Sequence, residues 1–402
     1  VQASEAERAA ALAQVAVIKL NGGLGTSMGL AGAKTLLSVR SGLTFLDVIA
    51  RQVLALRRRY AVDLPLLLMN SFRTEEQTEE RLAAYPELAV EGLPLGFLQG
   101  QEPKLRADTL GPVDWPENPE LEWCPPGHGD VYLSLQRTGL LDALRDKGIR
   151  KIFLANADNL GATCDPDIAA WLLANDVPYL AEVCERTPND RKGGHLARRR
   201  SDGRIVLRDS AMVPDGEEHY FTDETRHRTF HANNLWVDLD VLAELLTDRQ
   251  GRLGLPIIVN RKTVDPSDKT TTPVIQLETA MGTAVEAIDG ARALLVPRSR
   301  FRPVKTTNEL LLLRSDRYTL DGEWQVLATT TSPEPRIDLG PERTLVPDFD
   351  DCFAHGAPSL RDCTELTVRG EVTFGSDVVC RGAVTVEGPR HVADGTVLQG
   401  DS

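Results

Sequence analysis

The sequence predicts an α/β fold in which helices cover both faces of a mainly parallel sheet, followed by a short parallel β-helix at the C-terminal end. Three features point there: an apolar strand that runs into a glycine-rich loop and a helix, an alternation of strand and helix patterns beyond it, and a six-residue period near the end. Alternation implies parallel strands joined by crossover helices. A hexapeptide period marks a solenoid whose short strands stack their apolar side chains in columns.

A short Ala/Glu-rich helical lead precedes Val15-Ala16-Val17-Ile18-Lys19-Leu20, whose β-branched apolar character fits a buried strand. After the glycine loop, Thr44 and Asp47 have capping-box-like spacing, and Leu46, Ile49, Val53 and Leu56 recur every 3 to 4 residues. Arg57-Arg58-Arg59 close that helix, where cations suit its dipole. Further strands are expected at Pro65 to Met69, Lys151 to Ala155 and Tyr179 to Val183, and helices at Glu75 to Ala84, Val131 to Lys147 and Pro166 to Ala174. Ligands of such sheets sit beyond the carboxyl ends of the strands, so the loops after Leu20 and Ala155 are the candidate binding segments. Near the end, Leu366, Val372, Val378 and Val384 form one six-residue ladder and Val368, Phe374, Cys380 and Val386 a second, with Gly370, Gly382 and Gly388 between them. An antiparallel sheet can imitate one such ladder, but two in register favour the solenoid. The boundary is expected in the Pro-containing segment after Leu313, near residues 315–345.

The 402-residue chain is long enough for one large domain and a smaller one, with a substantial core and no need of disulfides or structural metal. Its 45 basic and 59 acidic residues leave a net charge of −14, which argues against nucleic acid or an anionic membrane as partner. Any anionic ligand must therefore be held by a local site. No apolar run approaches the roughly 20 residues of a membrane span, and Val1 to Ala13 lack the order of a signal peptide, so a cytoplasmic location is expected. The six cysteines, Cys124, Cys164, Cys184, Cys352, Cys363 and Cys380, make no C-x-x-C pair and read as free thiols.

The glycine stretch is Asn21-Gly22-Gly23-Leu24-Gly25-Thr26-Ser27-Met28-Gly29, with Lys34 closing the segment. Glycines let backbone N–H groups approach a phosphate chain, and a lysine adds mobile positive charge. Two better-known phosphate loops are excluded by spacing. Gly23-x-Gly25-x-x-x-Gly29 is one residue too long for the dinucleotide fingerprint, and Gly32-Ala33-Lys34-Thr35 has alanine where a P-loop needs the Gly-Lys pair. A glycine-rich turn alone is weak evidence, because tight turns often explain it.

Lys19 to Gly29 with Lys34 resembles the signature of the eukaryotic-type UTP–glucose-1-phosphate uridylyltransferase (UDP-glucose pyrophosphorylase) family. Further blocks similar to the family follow in its order: Leu68 to Phe72, Pro125-Pro126-Gly127-His128-Gly129-Asp130, Asn156 to Ala162, Lys192-Gly193-Gly194, Asn233 to Trp236, Val274 to Thr279, and Val296 to Phe301 through Lys305. The resemblance implies a Rossmann-like, GT-A-like nucleotidyltransferase domain with a mixed, mostly parallel sheet over residues 1–320. It also implies a C-terminal domain over 321–402 with a short left-handed parallel β-helix, through which a homo-oligomer could form.

The reaction the resemblance implies is in-line attack by a sugar 1-phosphate oxygen on the α-phosphorus of UTP, with pyrophosphate leaving and Mg2+ as cofactor. Two anions must meet, so positioning and charge neutralisation are the main requirements. By the same resemblance, Leu20, Asn21, Gly22 and Gly23 hold the nucleotide, Lys34 meets the triphosphate, and Lys305 steadies the reacting phosphates. Gln99 reads the uracil edge, Gly127 meets UTP, His128 donates to the sugar phosphate, and Asp158 holds the Mg2+ beside Asn156. Glu182, Gly194 and Asn233 match positions that contact the hexose hydroxyls. A lysine, histidine or post-strand aspartate taken singly is more often structural or solvated than functional; here the motif context reverses that.

Three departures stand out. Ala33 replaces the proline that usually precedes the lysine, His195 a threonine and His231 an asparagine. The histidines are either neutral drift or a reshaped sugar pocket. Glucose 1-phosphate is the default acceptor; another hexose, N-acetylhexosamine or cyclitol phosphate, or another nucleoside triphosphate, is the alternative. A non-catalytic scaffold is the third reading, against which the joint presence of Lys34, Asp158 and Lys305 argues.

Overall fold

The computed structural model describes residues 2–186, 190, 193–214, 216–266 and 268–401. Its centre is a seven-stranded sheet in the order Arg292–Leu295, Tyr179–Glu185, Thr229–Asp238, Lys151–Asn156, Val15–Asn21, Leu66–Asn70, Gly96–Leu98. Thr229–Asp238 runs antiparallel to both its neighbours, and the other pairings in the sheet are parallel. The mainly parallel α/β sheet expected from the alternation is therefore present.

Strand pleating sends alternate side chains to opposite faces. Val15, Val17, Leu66, Leu68, Phe153 and Ala155 enter one buried core, and Ala16, Ile18, Leu67, Met69, Ile152 and Leu154 the other. That is why these strands read as continuous apolar runs: both faces are covered, and each such side chain taken out of water stabilises the fold by roughly 1.5–3 kcal/mol. Phe45–Tyr60 and Pro166–Ala174 cover the first face; Leu140–Asp146 and Leu239–Asp248 cover the second. Thr44 and Asp47 form a full capping box at the start of Phe45–Tyr60.

One expected helix needs correction. The span Val131 to Lys147 is two helices, Val131–Arg137 and Leu140–Asp146, because Gly139 takes a left-handed conformation (φ 75°) between them. The apolar period runs through the break, so the pattern alone does not reveal it.

At the C-terminal end, Arg336–Asp338, Ser359–Arg369, Val379–Glu387 and Val397–Asp401 form a parallel sheet, and Val372–Phe374 pairs in parallel with Arg390–Val392. Leu366 lies beside Val384 and Val368 beside Val386, a register of three six-residue units. All eight side chains of the two ladders are buried. The apolar core does not stop near residue 320: Met28, Val39, Leu310, Tyr318, Phe349, Leu366, Phe374 and Leu398 belong to one cluster.

Candidate active site

Three parallel strands end side by side, with Leu20 next to Met69 on one side and Asn156 on the other. The glycine loop leaves there and doubles back, the Lys34 N–H bonding the Gly23 carbonyl at 3.2 Å. Asn21 is buried and its carboxamide is fully engaged, donating to Asn70 Oδ1 and Thr78 Oγ1, both at 2.8 Å, and accepting from Thr35 Oγ1 at 2.6 Å. Its side chain fixes the loop, which leaves backbone groups to meet a ligand. A Cβ on Gly22 would lie 2.7 Å from Gln99 Nε2, so glycine there is what lets the Gln99 amide lie against the loop.

Asp158 lies at the junction. The Val304 N–H donates to its carbonyl at 3.1 Å, which docks the 300–305 segment on the turn after Lys151–Asn156. Lys34 Nζ and Lys305 Nζ then both reach Asp158 Oδ2, at 3.0 Å and 2.7 Å. Burial alone would raise this carboxyl; the Lys305 and Lys34 ammoniums outweigh burial and hold it below the ordinary carboxylate range. Two cations and one carboxylate leave a locally positive spot on a chain whose net charge is −14.

The residues also suit a hard cation. Asp158 Oδ1 is buried without a partner, an available carboxylate lone pair. Among the described residues no group of three His, Cys, Asp or Glu side chains gathers, so phosphate oxygens and water would have to complete any coordination shell, as Mg2+ prefers.

His128 stands on the turn before Val131–Arg137. Gly127 precedes it at φ 82°, and a Cβ there would fall 2.5 Å from the Thr279 carbonyl, so the turn requires glycine. His128 Nδ1 accepts the Met281 N–H at 2.9 Å, which leaves the proton on Nε2. Burial, with Lys305 second, pushes this imidazole down to about 4, so near neutral pH it is an uncharged donor. Asn233, held at φ 58°, donates to Asn156 Oδ1 at 3.3 Å, joining the antiparallel strand to the site. Gly194 lies where a Cβ would meet the Arg208 carbonyl at 3.2 Å and Asp209 Oδ2 at 3.4 Å. Lys192, in the same block, lies outside the described residues.

Glu182, expected to meet hexose hydroxyls, is fully buried with both oxygens hydrogen-bonded. Oε1 accepts Arg300 Nη2 at 2.6 Å and Trp236 Nε1 at 3.0 Å; Oε2 accepts Arg300 Nε at 2.7 Å and Asn234 Nδ2 at 3.0 Å. A carboxylate saturated in this way holds the 300–305 segment from below.

The departing histidines also face packing. His195 is buried, stacks on His227 at 3.8 Å and touches Phe221, and neither ring nitrogen has a partner. His231 accepts the Asn233 N–H at its Nδ1, while its ring lies against Gly282 and its Nε2 is buried without a partner. Both rings are buried. Ala33 donates its N–H to Gln77 Oε1 at 3.0 Å, a bond proline cannot make.

Two further residues near the site are given no role of their own by the sequence motifs. Asp209 sits close enough to His128 to oppose the depression of its imidazole, and beside Gly194; it lies in a loop without any pattern. Lys19 is buried, its ammonium donating to the Ala162 carbonyl at 2.5 Å, and burial, with Arg300 second, brings it down to about 7. Its place within an apolar strand run was the signal.

Comparison with known proteins places these features in a family. Residues 1–381 match the family model described as UTP–glucose-1-phosphate uridylyltransferase. The chain is 41% identical over 401 residues to the UTP–glucose-1-phosphate uridylyltransferase of Solanum tuberosum, covering 98% of this chain and 82% of that one. It is 40% identical to the Saccharomyces cerevisiae protein of the same description, covering 94% and 75%. Among solved structures it resembles a variant UDP-glucose pyrophosphorylase from Leishmania major in complex with UDP-glucose, with TM-score 0.92, 40% identity and coverage of 100% and 87%. A Trypanosoma brucei structure described as UDP-glucose phosphorylase gives TM-score 0.87 at 42% identity, covering 97% and 86%.

Proposed function

The chain belongs to the UTP–glucose-1-phosphate uridylyltransferase family, and from that premise we infer that it is an enzyme converting UTP and glucose 1-phosphate to UDP-glucose and pyrophosphate. The observation that carries the reading is the junction at Asp158, where two ammoniums from distant loops meet one carboxylate beside a neutral histidine donor.

A phosphate oxygen of glucose 1-phosphate attacks the α-phosphorus, the bond to the bridging oxygen breaks, and pyrophosphate carries away the electron pair. The nucleophile is already an anion, so no general base is needed, and an imidazole depressed to about 4 suits a donor better than a proton acceptor. His128 Nε2–H orients the sugar phosphate. Lys305, half exposed, can leave Asp158 for the reacting phosphates, and Lys34 for the departing pyrophosphate. The backbone from Leu20 to Gly23 and the Gln99 amide hold the nucleotide, with Gly127 giving UTP close approach. Mg2+, held at Asp158 and by the triphosphate, would neutralise charge on the leaving group. Asn233 and Asp209 supply polar contacts to the hexose near Gly194.

The orientation of His195 and His231 supports glucose over a reshaped acceptor. The C-terminal coil is read as a short left-handed β-helix, supported by its hexapeptide ladders. A homo-oligomer formed through this C-terminal part belongs to the same reading. A cytoplasmic location is supported by six buried free thiols, and no helix among the described residues is long and apolar enough to cross a membrane. The test is pyrophosphate release measured across UTP, other triphosphates and a panel of sugar and cyclitol 1-phosphates. UTP with glucose 1-phosphate should lead in kcat/KM; a different pair in the lead would overturn the reading.

A further inference from the structure

His128 does not fix its own orientation. Its Nδ1 accepts the N–H of Met281, which opens the tight helical turn Met281–Glu286. That turn is itself held from behind. The Tyr132 hydroxyl donates to the Met281 carbonyl at 2.8 Å, and the Tyr179 hydroxyl to the next carbonyl, that of Gly282, at 3.3 Å. Both tyrosines are buried, and Tyr132 sits in the second core, on the helix that the His128 turn leads into. The His231 ring closes the other side: a Cβ on Gly282 would fall 2.8 Å from its Cε1, so only glycine lets the turn lie there.

We propose that Tyr132 is a positioning residue for His128. Its hydroxyl holds Met281 by the carbonyl so that the N–H of the same residue meets Nδ1, and this keeps the imidazole proton on Nε2, toward the ligand. Without the hydroxyl, the buried Met281 carbonyl keeps only the N–H of its own helical turn, loses its tie to the helix behind it, and the turn is free to shift away from the imidazole. Nδ1 then competes for the proton, and the donor toward the sugar phosphate is lost in a fraction of molecules. Tyr179 acts one carbonyl further on and its hydroxyl also meets that of Tyr132, so it steadies the pair without holding Met281 itself. The consequence for turnover rests on the reading of His128 as the sugar-phosphate donor; the consequence for the tautomer does not.

The experiment uses Tyr132→Phe, which keeps the ring and its packing, with Tyr179→Phe as the control for general loosening and His128→Gln as background. Nitrogen NMR of the histidine-labelled protein should show His128 protonated at Nε2 in wild type and Tyr179→Phe, and a mixture with Nδ1 in Tyr132→Phe. The kcat/KM for glucose 1-phosphate should fall about fivefold to twentyfold in Tyr132→Phe, through KM for the sugar phosphate, with KM for UTP within about twofold of wild type. In His128→Gln the same substitution should change nothing further. An unchanged tautomer in folded Tyr132→Phe overturns the proposal, as does an equal tautomer change in Tyr179→Phe. If His128→Gln itself leaves kcat/KM intact, the functional reading of His128 fails, and the NMR result alone decides whether Tyr132 positions it.

Discussion

The two lysines at Asp158 carry the most direct consequences of single side chains. Lys34→Ala and Lys305→Ala should each lower kcat by more than about tenfold, some 1.4 kcal/mol of transition-state stabilisation. Near wild-type turnover in either variant removes that lysine from the mechanism. Asp158→Asn leaves two ammoniums facing each other without a counter-charge, and should stay folded while its response to added Mg2+ becomes weak; unchanged metal dependence would be the contrary result. Histidines set the acid limit. His128 and His231 are depressed to about 4 and His195 to about 3, in each case first by burial. Their folded values lie below the unfolded 6.5, so they contribute stability above pH 6.5 that is lost as pH falls through the folded values. Between 6.5 and about 4 the unfolded chain binds protons that the folded chain refuses, at about 1.4 kcal/mol per pH unit for each ring. Melting temperature measured from pH 7 to 4.5 should fall steeply, and His195→Phe, which can keep the stack on His227, should flatten the slope. Much of this site was legible residue by residue, since Lys34, His128, Asp158 and Lys305 are named by motifs in collinear blocks. The saturation of Glu182 was not legible, because it depends on Arg300, 118 residues away. Nothing local to the strand announces that partner.

Glycines differ in what they permit at the level of turns and helices. Gly139 has open space around its missing Cβ, so Gly139→Ala meets only the backbone cost of a left-handed conformation, about 1–2 kcal/mol. Gly127→Ala adds a collision with the Thr279 carbonyl and amide, which are backbone atoms and cannot swing aside. Urea midpoints should therefore show the second variant far more destabilised than the first, and activity should be lost with it; equal shifts would mean that the His128 turn yields easily. The same contrast explains what periodicity reveals. Helix starts with a chemical signal, such as Thr44 with Asp47, fall where expected, whereas the break at Gly139 is hidden under an apolar pattern that continues across it. Six-residue ladders were legible because each column is apolar for its own local reason, the burial of all eight side chains.

Across the whole molecule, the catalytic sheet and the C-terminal parallel strands share one apolar core, something no composition shift after Leu313 discloses. Hydrogen bonds strengthen that union: Thr307 Oγ1 donates to the Arg343 carbonyl at 2.6 Å, the Leu339 N–H to Asn308 Oδ1 at 3.1 Å, and Gln52 Nε2 to the Trp324 carbonyl at 2.9 Å. Thermal unfolding should be a single transition by calorimetry and by tryptophan fluorescence. Phe349→Ala, deep in the shared core, should cost about 3–5 kcal/mol and shift that one transition as a unit; a separate early melt of the C-terminal strands would contradict it. The Asp158 junction also has a meaning in time. Lys34 and Lys305 are 124 and 147 residues from their shared carboxylate, and contacts that close loops of that length form late, after local helices and neighbouring strands have settled. During refolding from urea, turnover should be the last signal to return, lagging the burial of Trp236, because a chain that has already collapsed and regained its sheet still has no junction until both distant loops reach one oxygen atom.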